Sequence, residues 1–171
     1  MASEKEIVLS YQQAHNAHDV ELAMSYMTPT IRYMMIGLWT REGQEEVRIL
    51  ESWDAALNSQ LTYGSLQVRQ GRMDCSGSET NDWYRLAGIE QVDFDSIKFE
   101  FQGDKITHIR AKISPKSERA IDQAMNRVIH WALDYAPEEV DALVPRGIFR
   151  YGPDHAARWI ALVQAWKDHQ K

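Results

Sequence analysis

The spacing of the apolar residues changes twice along this chain, and this change constrains the fold more than any other feature. Up to Asn58, apolar residues recur mostly every three or four positions, as in amphipathic helices, with one short strand predicted at 31–37. Over 61–113 apolar and polar residues alternate, and a sequence typical of a turn, Gln70-Gly71, interrupts the pattern. Helical spacing returns from Pro115 onwards. This order predicts an α+β domain, in which a curved antiparallel sheet wraps around N-terminal helices and a helical extension follows.

Two signals sharpen these predictions. Asp19 is a suitable N-cap for the second helix. Alternation over 93–101 predicts that Asp95 shares an inward face with Ile97 and Phe99, and alternation over 105–113 points Ala111 inward. The expected helices are 3–16, 20–27 and 44–58, and the expected strands are 31–37, 61–69, 72–79, 81–87, 93–101 and 105–113.

Charge and composition exclude several classes of protein. There are 19 Lys and Arg against 25 Asp and Glu, and the basic residues are scattered among acidic ones, so we expect no nucleic-acid partner. No apolar run approaches the roughly 18 residues that span a bilayer, and the first ten residues lack the apolar core of a signal peptide. We therefore expect a cytoplasmic protein that does not bind membranes.

Motifs for metals and cofactors are missing. The only close histidine pair, His15 and His18, spans a predicted helix end, and the single cysteine, Cys75, has no histidine near it in sequence. The chain has no glycine-rich phosphate loop and no Gly-x-Ser-x-Gly nucleophile motif. The sequence thus predicts neither a metal site nor a cofactor.

Three short motifs stand out along the first two thirds of the chain. They are Tyr11-x-x-Ala14-x-Asn16-x-x-Asp19-x-Glu21, then Gly37-x-Trp39 with Gly43-x-Glu45, and finally Phe99-x-Phe101-Gln102-Gly103-Asp104-Lys105-Ile106. Together they resemble the nuclear transport factor 2-like superfamily, in its SnoaL-like branch of polyketide cyclases, ketosteroid isomerases and epoxide hydrolases. The resemblance covers about residues 3–113. It implies a cone-shaped domain over 1–114 with a deep pocket, often as a homodimer. The helical extension, 115–171, would pack on the same domain or on a partner subunit.

The resemblance also implies a function class and exposes a departure from it. It implies a small apolar ligand and cofactor-free acid–base chemistry of an isomerase, dehydratase or cyclase. In many enzymes of this group, the strand that follows the turn corresponding to Gly103-Asp104 carries an inward-facing Asp. The matching residue here is Ala111. A methyl group cannot transfer a proton, so another carboxylate must act or the chemistry is absent. The alternative function is a non-catalytic ligand-binding or self-associating module, and the sequence leaves open whether the protein is an enzyme.

Two aspartates are candidates for the missing carboxylate. Asp95 would face the pocket if the alternation holds, and otherwise lies at a solvated strand start. Asp82 could act as a base with Tyr84 as a hydrogen-bond donor two residues along the same strand face, or it could belong to a turn. Asp82, Asp95 and Tyr84 are therefore the predicted catalytic residues.

The predicted pocket wall combines aromatic and polar side chains. They come from the first helix, the first strand, the third helix and the later strands, and they either line a cavity or fill the cone completely. These residues are Tyr11, His15, Tyr33, Met35, Trp53, Asn81, Trp83 and Phe99.

Overall fold

Seven α-helices and six β-strands follow one another in the structure, a computed structural model that describes all 171 residues. In chain order they are α1 (Glu4–Asn16), α2 (Val20–Ser25), β1 (Met27–Met35), β2 (Trp39–Glu42), α3 (Gly43–Ala56), β3 (Gln60–Arg69), β4 (Arg72–Thr80), α4 (Asp82–Leu86), β5 (Val92–Gln102), β6 (Lys105–Ile113), α5 (Pro115–Tyr135), α6 (Pro137–Leu143) and α7 (Pro153–His169). A 3-10 turn at Pro145–Gly147 joins the last two helices.

The six strands form one open sheet in the order β2-β1-β6-β5-β4-β3. Neighbouring strands are antiparallel except β1 and β6, which run parallel and pair Met35 with Ala111. The predicted α+β class, with N-terminal helices, a curved sheet and C-terminal helices, is confirmed.

The helix starts follow the capping residues of the sequence. The Ser3 hydroxyl accepts from the backbone N–H of Glu6, whose carboxylate accepts from the backbone of Ser3 in return. Asp19 accepts from the backbone N–H of Leu22 at 3.0 Å and caps α2, as predicted.

One predicted strand, 81–87, is wrong. Asn81 accepts a hydrogen bond from the backbone N–H of Tyr84 at 2.8 Å and starts the short helix α4. An asparagine at this position stabilises a helix start more than it favours a strand. The chain therefore leaves the sheet after β4 and turns Trp83 and Tyr84 towards the helices of the extension.

Two apolar cores lie on either side of α3. The first, around Tyr11, Met27 and Phe99, packs α1 and α2 against the sheet. The second, around Trp83 and Trp159, joins the end of α3 and α4 to the extension. In the structure α7 packs against α3 and α4 of the same chain. No helix is both long enough and apolar enough to cross a membrane.

Candidate functional site

A cavity of about 520 Å³ lies where the sheet, α3 and the C-terminal extension meet. Its walls come from both parts of the chain, because 147–151 and α5 close the side that the sheet leaves open. Most of its lining is apolar, and the larger apolar side chains are Tyr33, Met35, Leu38, Trp39, Leu50, Trp53, Leu57, Leu61, Trp83, Tyr84, Phe94, Ile113, Ile121, Met125, Ile148, Phe149 and Tyr151.

Aromatic rings form a continuous wall along one side of the cavity. The Trp53 ring centroid lies 5.2 Å from that of Tyr151 and 5.4 Å from that of Phe149. Trp39 continues the wall, at 5.4 Å from Tyr33 and 6.1 Å from Tyr151. These edge-to-face contacts are favourable packing geometries for aromatic rings. The wall gives the cavity a large apolar surface.

Asp54 places a carboxyl group in this apolar cavity. It lies on the face of α3 that also carries Leu50 and Leu57, so helical spacing turns it inward. Its side chain makes no hydrogen bond to the protein, and it carries no ion pair. Burial, and then the charge of Glu79, raise the pKa of the Asp54 carboxyl well above its usual range.

Glu79, near the end of β4, brings a second carboxyl group to the same cavity. Its Oε1 accepts hydrogen bonds from the Ser59 hydroxyl at 2.9 Å and from the Asn81 amide at 3.1 Å. Burial raises the pKa of Glu79, while the charge of His15 and these two hydrogen bonds oppose that rise. The carboxyl groups of Asp54 and Glu79 therefore have unequal surroundings.

A buried hydrogen-bonded chain continues from Ser59 away from the cavity. His15 Nε2 lies 3.0 Å from Ser59 Oγ, and His15 Nδ1 lies 2.8 Å from Glu51 Oε2. The Tyr11 hydroxyl donates to the other oxygen of Glu51 at 2.6 Å. Burial alone would lower the pKa of His15, but the charge of Glu51 and its hydrogen bond raise it to about 9.

The structure brings most of the sequence-predicted pocket residues together. Tyr33, Met35, Trp53, Asn81 and Trp83 line the cavity, and so does Tyr84, which was predicted to be catalytic. Tyr11, His15 and Phe99 are buried but do not line it. Tyr11 and His15 belong instead to the hydrogen-bonded chain behind Glu79, and Phe99 lies in the core between the sheet and α1.

The structure corrects the positions predicted for Asp82 and Asp95. Asp82 lies in the first turn of α4, where it is half-buried and forms an ion pair with Arg85. Asp95 is exposed because the pairing of β5 with β6 shifts between Phe94 and Ser96. A bulge of this kind reverses the face on which a residue lies, so Phe94 points inward and Asp95 outward. Neither aspartate lines the cavity.

Sequence reasoning missed Asp54 and Glu79, although signals for both were present. Asp54 lies four residues after Leu50 and three before Leu57, which marks an acidic side chain on an apolar helix face. Glu79 lies two residues before Asn81, which was itself predicted to line the pocket. An acidic residue on a face predicted to be buried was the observation that could have identified each of them.

No protein-family model and no curated protein sequence matches this chain. Solved structures do match it. An NTF2-like protein of unknown function from Cytophaga hutchinsonii is 11% identical with a TM-score of 0.56, over 68% of this chain and 94% of that one.

Two further structures belong to proteins with a stated activity. The epoxide hydrolase/cyclase-like enzyme SalBIII, described as having a role in pyran ring formation in salinomycin, is 20% identical with a TM-score of 0.58, over 66% of this chain and 92% of that one. A candidate ketosteroid isomerase from Kribbella flavida is 14% identical with a TM-score of 0.54, over 63% of this chain and 75% of that one. These likenesses show that the chain has the nuclear transport factor 2-like fold, as its motifs implied.

Proposed function

We propose that this protein is a cofactor-free acid–base enzyme that acts on a small, largely apolar molecule bound in the cavity. The observation that carries the proposal is the presence of two inward carboxyl groups, Asp54 and Glu79, in a cavity whose other walls are mostly apolar and aromatic. Surroundings of this kind move carboxyl pKa values towards neutral pH, where such groups are most effective in proton transfer. A third lining carboxyl, Asp122 on α5, is exposed.

In this proposal, one of the carboxyl groups of Asp54 and Glu79 acts as the base and the other as the acid. The ionised one removes a proton from a carbon or hydroxyl of the substrate, and the protonated one gives its proton to the oxygen that gains charge. The Tyr33 and Tyr84 hydroxyls can donate hydrogen bonds to the same oxygen, since burial raises the pKa of both phenols well above the ordinary value. No net proton is gained or lost.

Isomerisation, dehydration and cyclisation all need one proton removed and one supplied. The solved structures with this fold include an epoxide hydrolase/cyclase-like enzyme and a candidate ketosteroid isomerase, and the activities of those two proteins favour this group of reactions. The aromatic wall favours an apolar substrate, because its rings offer contact area but few hydrogen bonds.

A non-catalytic ligand-binding module is the second candidate function. The observation that favours it is Ala111, which is 1% exposed and pairs with Met35 and Ile97 at the position where the resemblance predicts an acid. In that case the carboxyl groups of the cavity would only orient a ligand. The predicted homodimer and cytoplasmic location remain proposals, and native mass spectrometry of the purified protein tests the subunit count and any bound ligand together.

The ring opening of 5-nitrobenzisoxazole tests the catalytic proposal, because this neutral aromatic probe reacts once a base removes its carbon-bound proton. We expect the wild-type protein to accelerate the reaction and the double variant Asp54→Asn/Glu79→Gln to lose at least about 100-fold of the rate. Asp82→Asn, which changes a carboxylate of the same chain that does not line the cavity, serves as the control and keeps the wild-type rate. Equal rates for the wild type and the double variant would contradict the catalytic proposal. The non-catalytic ligand-binding module would then be the better-supported function.

A further inference from the structure

The Ser59 hydroxyl lies between His15 and Glu79 and limits where their protons can be. Its oxygen is 3.0 Å from His15 Nε2 and 2.9 Å from Glu79 Oε1, and Ser59 has no exposed surface. A serine hydroxyl has one proton to donate, so it cannot serve two acceptors at once. Both contacts are hydrogen bonds only if a further proton sits on His15 Nε2 or on the Glu79 carboxyl.

Glu51 decides between these two positions. Its carboxylate lies on the other side of the imidazole, 2.8 Å from His15 Nδ1, and both side chains are 2% exposed. Tyr11 donates a hydrogen bond to the other oxygen of the same carboxylate at 2.6 Å. A buried carboxylate in contact with one ring nitrogen stabilises the imidazolium, which carries protons on both nitrogens. His15 then donates to Ser59, and Ser59 donates to Glu79.

The same chain of contacts distinguishes Glu79 from Asp54. Glu79 accepts hydrogen bonds from Ser59 and Asn81, whereas Asp54 accepts none. Two carboxylates do not both ionise readily in one apolar cavity. Resting on the proposed function, we propose that the His15–Glu51 pair, acting through Ser59, holds Glu79 as the ionised base of the cavity and leaves Asp54 as its protonated acid.

His15, from α1, is the positively charged group that acts on Glu79. Arg41 also lines the cavity, but it forms an ion pair with Glu46 at 3.4 Å. The remaining titratable groups that face Glu79 are carboxyls and phenols, namely Glu51, Asp54, Tyr33, Tyr63, Tyr84 and Tyr151. The charge that stabilises an ionised Glu79 therefore comes from His15.

This arrangement assigns the proton movements of a turnover. Glu79 takes a proton from the substrate, and Oε2, which accepts no hydrogen bond from the protein, is free to receive it. Asp54 gives its proton to the substrate oxygen. Product release and exchange with solvent then return the proton from Glu79 and reload Asp54. His15 and Ser59 touch no substrate in this scheme and are positioning residues.

The first test titrates the wild-type chain of 171 residues by NMR, with 13C-labelled carboxyl groups and 15N-labelled histidine. The variants Asp54→Asn, Glu79→Gln and His15→Gln assign the signals by the loss of one resonance each. We expect Glu79 to ionise at a lower pH than Asp54, and the His15 ring to carry two protons at neutral pH. A neutral His15 ring at that pH, or an Asp54 that ionises before Glu79, would overturn the inference.

The second test compares Ser59→Ala with Ser59→Thr in the pH–rate profile of 5-nitrobenzisoxazole ring opening. Loss of a hydrogen bond to a charged group should raise the apparent pKa of the base by about one unit in Ser59→Ala. Ser59→Thr keeps the hydroxyl and should keep the profile. An unchanged base pKa in Ser59→Ala would show that the chain of contacts does not act on Glu79.

The two proposals fail in different ways. The NMR titration reads the charges without turnover, so an ionised Glu79 with no catalysis would contradict the proposed function alone. If the cavity catalyses the reaction while Asp54 is the ionised group, only the positioning role of His15 is contradicted and the proposed function stands.

Discussion

His15 Nδ1 lies 2.8 Å from Glu51 Oε2, and each of the two side chains keeps only 2% of its surface exposed. Removing two charged groups from water costs several kcal/mol per ion, which the contact between them offsets only with good geometry. Tyr11 and Ser59 complete that geometry by bonding the outer atoms of the pair. A buried pair adds little net stability compared with apolar residues in the same place. Its proposed role is instead the positive charge that His15 places towards Glu79.

Loss of one partner should therefore be costly. We expect Glu51→Gln to lower the free energy of unfolding by about 3 kcal/mol, because it leaves a buried imidazole without its counter-charge. Glu46→Gln on the same helix is the matched control. Glu46 is half exposed in its contact with Arg41, and its loss should cost less than about 1 kcal/mol. Urea unfolding at neutral pH measures both, and equal losses would contradict a special role for the buried pair.

The pair also predicts how stability changes with pH. The pKa of His15 is about 9 in the folded protein against 6.5 for the free side chain, so the folded state binds the proton more tightly. This stabilisation is complete below about pH 6.5 and is lost as the pH rises towards 9, at up to about 1.4 kcal/mol per pH unit. His15→Gln should remove this part of the slope in urea unfolding, whereas His130→Gln, at an exposed position on α5, should retain it.

Local patterns were sufficient to predict most of the elements. The bounds of β6, 105–113, agree with the structure because alternation and a turn sequence both mark them. The start of α4 at Asn81 was misread because a helix of only five residues is too short to show a helical period. Asp95 was misplaced because alternation cannot show a bulge, which depends on pairing with the neighbouring strand.

The site was harder to predict than the fold because its members are far apart in sequence. Glu51 and Glu79 are separated by 28 positions. His15 contacts Glu51, and meets Glu79 through Ser59, because α1 packs against both α3 and the sheet. The aromatic residues at 149 and 151 come from a connection between helices, where no periodic pattern indicates a direction. Sequence patterns could identify buried faces, but they could not show which buried polar groups meet.

Position 111, where the family resemblance predicts an acidic residue, can be tested by restoring that residue. Ala111 is 1% exposed and packs in the core between Met35 and Ile97. We expect Ala111→Asp to lower the free energy of unfolding by several kcal/mol, since no partner is present for a buried carboxyl group. Lys112→Asp, at the exposed neighbouring position, should change it by less than about 1 kcal/mol. A stable Ala111→Asp variant with faster ring opening of 5-nitrobenzisoxazole would contradict this expectation.

A substitution at the mouth of the cavity should weaken ligand binding without changing the stability of the protein. Ile148 lines the cavity but is 67% exposed, so it contributes contact area to a bound apolar molecule and little to the core. Ile148→Asp should raise the Kd for Nile red, a neutral apolar dye, about fivefold, since roughly 1 kcal/mol of apolar contact is lost. Val68→Asp is the control, because Val68 is 48% exposed on β3 and does not line the cavity. Fluorescence titration measures both, and equal weakening by the two variants would place the dye outside the cavity.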